Sequence, residues 1–147
     1  MRLEMLRLYP ESFGETVEEY ETRSDDQHLS RFIDGAIFGA FEKDELIGVA
    51  GFYISKAPKM QHRGNLYSVY VKQAYWGKGL ADKLLKAVID HAVACGVMQI
   101  HCTVVTSKSK AIKLYERHGF VTYGTEPRSL KTDGKYFDAH LMVKKIK

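Results

Sequence analysis

The chain is poor in residues that staple or interrupt a small fold: 147 residues include two cysteines, three prolines and one tryptophan. Cys95 and Cys102 form no C-x-x-C pair, and neither stands beside a histidine pair at ligand spacing. That argues against a metal site and against a disulfide framework, and both cysteines read as small buried hydrophobes in a reducing compartment. No stretch approaches the 18 consecutive apolar residues of a membrane helix. Arg2, Glu4 and Arg7 fall where a signal peptide needs an apolar run. The expectation is a cytoplasmic protein with no membrane partner. Charge of one sign is also scarce, 22 Lys and Arg against 18 Asp and Glu for a net +4. This excess admits an anionic ligand but lacks the density of a nucleic-acid domain, so no nucleic-acid partner is expected.

What is present is a 45% hydrophobic share, and a chain of this length buries roughly 70% of its unfolded surface, enough for one domain, residues 1–147, without staples. Met1–Tyr9 alternates weakly as a strand would, and residues 10–34 carry two short helices with sparse apolar points. Gly35–Phe41 and Leu46–Ile54 are β-branched and aromatic runs joined by a polar turn, a hairpin pattern. Ser55–Gly64 is a basic loop, and Asn65–Lys72 a strand. From Gly79 the period becomes helical, with Ala81, Leu84, Leu85, Val88 and Ala92 on one side and Gly96 as the stop. Strand Val97–Val105 follows, then a helix with Ser107 and Ser109 as candidate caps and Gly119 as its end. Phe120–Tyr123 and Lys135–Lys144 close the chain as strands around a long loop. The order describes an α/β (α+β) domain, a mixed sheet with helices on its faces.

The segment Trp76-Gly77-Lys78-Gly79-Leu80-Ala81 lies between a strand and a helix. A Gly-x-Gly turn there aims bare N–H groups and the positive end of a helix dipole at one point, which suits a diphosphate; a plain tight turn has the same spelling. No Ser or Thr follows Gly-Lys as a Walker A loop requires, and Asp82 stands where a dinucleotide fingerprint needs its third small residue. An NTPase and a dehydrogenase are both disfavoured.

The passage Leu66–Phe120 resembles the GNAT N-acetyltransferase superfamily. The strand Leu66–Val71 followed by Trp76–Ala81 is similar to the family motif Arg/Gln-x-x-Gly-x-Gly/Ala, with Trp76 at the first position. Ala111–Phe120 resembles the second signature, a helix ending in Tyr-x-x-x-Gly-Phe. The resemblance implies a single domain whose mostly antiparallel sheet has splayed central strands, and it implies acetyl-CoA as cosubstrate without a metal. It implies that the amides of Gly77, Lys78, Gly79, Leu80 and Ala81 take the pyrophosphate. The pantetheine arm then lies along Val69, Tyr70 and Val71 as an added strand. Lys108, where many relatives carry Asn, becomes a candidate phosphate contact. A homodimer through the C-terminal strands is compatible with the same resemblance.

Acetyl transfer to an amine needs a neutral nucleophile, an oxyanion donor and a proton for the departing thiolate. By resemblance Tyr115 is the acid, and the main-chain N–H of Val69 or Tyr70 is the oxyanion donor. The base does not carry over, because Asn65–Val71 holds no carboxylate. His62 in the basic loop is the first candidate, ahead of Tyr67, Tyr70, Asp138 and Glu21. Deprotonating a lysine at pH 7 costs about 4.6 kcal/mol and an α-amine only about 1.4 kcal/mol. Phe13, Tyr20, Phe32 and Tyr136 are candidate pocket walls for the acceptor. The acceptor itself is open between a small amine, an amino acid and a peptide amine. The missing carboxylate leaves a second reading, an acyl-CoA-binding sensor or interaction module without turnover.

Overall fold

Gly35–Glu42 (β1) and Glu45–Ile54 (β2) pair antiparallel around Lys43-Asp44, as their alternation predicts. In the computed structural model, which describes residues 1–33 and 35–147, they begin a six-stranded sheet. It continues with β3 (Arg63–Val71), β4 (Gln99–Val105), β5 (Val121–Thr132) and β6 (Lys135–Lys145) in the order β1-β2-β3-β4-β6-β5. Among the described residues only the β3–β4 pair is parallel. Three helices precede the sheet, α1 (Arg2–Leu8), α2 (Val17–Glu21) and α3 (Asp25–Ile33). Two more, α4 (Leu80–Ala94) and α5 (Ser109–Arg117), follow β3 and β4. Asp34, the expected end of the early helical stretch, and the Ile33 side chain lie outside the described residues.

Helices cover both faces. Leu84, Leu85 and Val88 of α4 and Leu114 and Tyr115 of α5 join Phe52, Leu66, Val71, Ile100 and Met142 in one buried cluster. Tyr70 points the other way, where its hydroxyl donates to Glu4 of α1 at 2.8 Å and its ring lies 6.0 Å from that of Tyr9.

Several expectations are corrected. Met1–Tyr9 is a helix rather than a strand: Met5 and Leu6 are buried as neighbours, which alternation forbids, and Leu, Met, Glu and Arg favour a helix that Pro10 then ends. The expected long loop after Tyr123 is instead β5 running on to Thr132, and it meets β6 through Asp133-Gly134, both at positive φ (49° and 75°). Pro127 is accommodated because the ladder is interrupted between Glu126 and Leu130 on this edge strand. Helix α5 is capped at Lys108 without a side-chain bond, so neither Ser107 nor Ser109 serves. Cys95 is exposed at the end of α4, whereas Cys102 is buried and burial pushes its thiol up to about 12. His91 of α4 packs edge-on against Phe38 and Phe52.

Candidate active site

Strands β3 and β4 pair only at Arg63–Asn65 against Gln99–His101. Beyond that point Leu66–Val71 remains tied to β2 and Cys102–Val105 to β6, while the two facing edges have no strand partner. Their separation opens a cleft of about 1420 Å³. Unpaired main-chain groups along both edges are obliged to find donors and acceptors elsewhere, which a peptide-like arm supplies.

A bulge shapes the β3 edge. Tyr67 opposes Gly51 and Tyr70 opposes Val49, leaving Ser68 and Val69 opposite the single residue Ala50, with Ser68 at φ 52°. A bulge leaves its extra residue out of the ladder, so the main-chain groups of Ser68 and Val69 are not both taken up by β2. The ring of Tyr67 lies over Gly51, where an added Cβ would meet it at 2.4 Å.

At the head of the cleft the turn has the required conformation. Gly77 and Gly79 sit at φ 76° and 71°, and a Cβ built on either meets nothing within 4 Å. Side chains there would project into open space beside the first turn of α4, so the residues fit a diphosphate. Trp76 contributes its side chain as well as its position. The indole N–H donates to the Val71 carbonyl at 2.8 Å, and the Lys110 ammonium lies 4.6 Å from the ring centroid, joining β3 to the start of α5.

The predicted site residues divide. Val69, Tyr70, Val71, Trp76, Gly77, Gly79, Leu80, Ala81, Lys108 and Tyr115 all line the cleft. Lys78 does not; its ammonium lies 4.8 Å over the Tyr75 ring. Lys108 is already engaged by Glu11 and lies over the Tyr9 ring at 5.3 Å, so it ties the N-terminal segment to α5. His62 is exposed, its carbonyl accepts from the Met98 N–H at 2.7 Å, and it is not part of the cleft lining.

Tyr115 lies in the core cluster with its ring 5.8 Å from Phe120. Burial, with a smaller contribution from Cys102, raises its hydroxyl pKa, so it holds its proton throughout the physiological range. Among the described residues its hydroxyl has no hydrogen-bond partner. Of the expected pocket walls, Phe13 lines the cleft, while Tyr20 and Phe32 line a neighbouring cavity of about 320 Å³ that shares Arg2, Tyr67 and Ser68 with it. Tyr136 lines neither.

Sequence reasoning missed the anchoring of the bulge. Glu15 is almost fully buried and meets the guanidiniums of Arg2, Arg23 and Arg31. Arg2 also donates to Ser68 Oγ at 2.7 Å, so this knot clamps the N-terminal helices onto the bulge. No motif announces such contacts, which join residues far apart in the chain. Among the described cleft-lining residues Asp82 is the one carboxylate, and it is held by Arg117 at 3.1 Å and His118 at 2.9 Å. His118 therefore bridges α5 to α4.

The Acetyltransferase (GNAT) family profile matches residues 2–120. The L-amino acid N-acetyltransferase AaaT of Escherichia coli is 25% identical over 122 residues, 80% of this chain and 67% of the relative. A GNAT-family acetyltransferase structure from Streptococcus pneumoniae superposes with a TM-score of 0.81 at 25% identity, covering 97% of this chain and 89% of the other. A putative acetyltransferase from Salmonella typhimurium, solved with its cofactor acetyl-CoA, shares the fold with a TM-score of 0.76 at 23% identity, over 86% of this chain and 76% of the other. Against several curated relatives the chain spans about half the length or less, 48% of one and 32% of another. The profile match and the splayed sheet agree: this chain belongs to the GNAT acetyltransferase family.

Proposed function

We propose that the protein is an acetyl-CoA-dependent N-acetyltransferase that acetylates a primary amine in one ternary complex. The observation that carries the reading is the juxtaposition of two open strand edges with the glycine turn at their head, a cleft that fits a pantetheine arm and a diphosphate together. The AaaT relative is named as acting on amino acids, which supports an acceptor that presents an α-amine.

Acetyl-CoA supplies the activated acyl group. Val69 N–H donates to the acyl oxygen as negative charge develops there. Tyr115 Oη–H, kept protonated by burial, gives its proton to the thiolate as the C–S bond breaks and the N–C bond forms. The amine loses one proton to solvent when it becomes neutral and a second when the amide forms; one of the two returns to Tyr115, so the net products are the amide, free CoA thiol and one proton. Buried Cys102, with its thiol pushed up to about 12, is no nucleophile at neutral pH, which favours direct transfer over an acyl-enzyme.

The cleft holds no free carboxylate to act as base among the described residues, and the Arg2 guanidinium, which donates to Ser68 Oγ, stands at the bulge. Nearby positive charge favours the neutral form of an amine, which lowers the need for a strong base and favours an α-amine over a lysine. A thiol-release assay with acetyl-CoA against amines, amino acids and short peptides tests the reading. Turnover that collapses in Tyr115→Phe while CoA still binds supports it. Failure across the panel with intact CoA binding supports the sensor instead.

A further inference from the structure

Among the described residues three guanidiniums line the cleft, and their partners differ. Arg2 meets Glu15 at 2.8 Å, and Arg117 meets Asp82 at 3.1 Å. Arg63 has no counter-ion and no hydrogen-bond acceptor among the described residues, and its Nε is a buried donor left unsatisfied. A half-buried cation without a partner lowers stability and persists only where something else sets its place.

Its surroundings indicate a ligand. Strand alternation puts Arg63, Asn65 and Tyr67 of β3 on one face with Tyr53 of β2, since Asn65 pairs with Tyr53. His101, paired with Asn65 across the seam, joins them and bonds Gln99 at 2.8 Å and Tyr123 at 3.4 Å. All but Gln99 line the cleft, and the rings of Tyr53 and Tyr123 stand exposed on either side. Burial, and then the nearby charge of Arg63, lower the pKa of His101, so it is neutral at pH 7 and Arg63 supplies the fixed charge of this floor.

We propose that Arg63 is the anchor for a carboxylate at the far end of an extended acceptor, whose amine reaches the Ser68–Val69 bulge along this aromatic floor. The inference rests on the acyl-transfer reading and adds the acceptor's shape. At about 3.3 Å per residue Val69 stands roughly 20 Å from Arg63 along β3. After the reach of the guanidinium and of the acyl group, the amine and the carboxylate lie roughly 10–14 Å apart, the span of three or four extended residues. A single α-amino acid is too short. The acceptor class is therefore a short peptide with free amino and carboxyl ends, the carboxylate taking the two-pronged bond that a guanidinium offers.

Calorimetry on the CoA-saturated protein, with alanine peptides of one to four residues as free acids and as C-terminal amides, tests this. The expected result is that the three- and four-residue acids bind at least tenfold tighter than their amides. Arg63→Gln removes that gap, leaves amide binding unchanged, and melts no lower than the parent because no native partner is lost. Arg63→Lys keeps part of the gap. Equal binding of acid and amide, a gap that survives Arg63→Gln, preference for single amino acids governed by Arg31 instead, or no peptide binding at all would each overturn it. A gap that depends on Arg63 in a protein that consumes no acetyl-CoA supports the anchor and overturns the acyl-transfer reading.

Discussion

The proposed coenzyme side of the cleft is made of backbone, whereas the proposed acceptor side is made of side chains delivered by separate segments. On the first side, Gly77, Gly79 and the open edges of β3 and β4 offer main-chain groups whose positions follow from turn conformation and strand pairing. On the second, Arg2, Arg63, Tyr67, His101 and Tyr123 come from α1, β3, β4 and β5 and meet only in the folded sheet. A surface of bare backbone serves a constant partner, and a surface of side chains can be re-cut for another acceptor without disturbing the turn.

Mutations should separate the two sides. The largest effect belongs where they meet: Tyr115→Phe should lower kcat by about 100-fold or more while CoA affinity stays within about threefold, measured by thiol release and calorimetry. On the acceptor side, Glu15→Gln strips the counter-charge from three guanidiniums. It should cost roughly 2 kcal/mol in denaturant unfolding, less than the 3–5 kcal/mol of a fully buried pair because the arginines keep some solvent. It should also raise the acceptor KM through Arg2 and Ser68 without changing CoA affinity.

On the coenzyme side, Gly79→Ala places a Cβ in the open space of the turn and forces a left-handed residue at a strain of about 1–2 kcal/mol. CoA affinity should fall about tenfold with the acceptor KM unchanged. The smallest effect is in pH. His101 has a lowered folded pKa from burial, then from Arg63 and His62, so the unfolded chain binds its proton more readily. Its contribution is present above the unfolded value near 6.5 and is lost as pH falls through the folded value. His101→Gln should slightly flatten the acid limb of a plot of melting temperature against pH.

The same division explains what could be read from the sequence. The glycine turn and the Tyr-x-x-x-Gly-Phe helix are local in sequence, so motif spacing places them, whereas the splay of β3 from β4 is legible only through the family resemblance. The hairpin β1–β2 and helix α4 likewise announce themselves through period and stop signals. Met1–Tyr9 deceived because an amphipathic helix that buries the adjacent Met5 and Leu6 spells a pattern close to weak alternation. The end of β5 was hidden because Pro127 reads as a loop until the bulge that frees it from the ladder is seen. His62 is near β3 in sequence, but it lies at the strand's closed end, where β3 and β4 are still paired. Arg63, one residue on, carried no signal, since an arginine's missing partner is a three-dimensional fact.

The open strand edges and the turn between them are the proposed seat of the coenzyme. Amide hydrogen exchange, compared between the free and the CoA-saturated protein, tests this most directly. Protection should rise at Leu66–Val71, at Cys102–Val105 and at Gly77–Ala81, and stay unchanged along β5 and β6 beyond the cleft. Saturation by CoA with no added protection at those three segments, or protection confined to another surface, would contradict it.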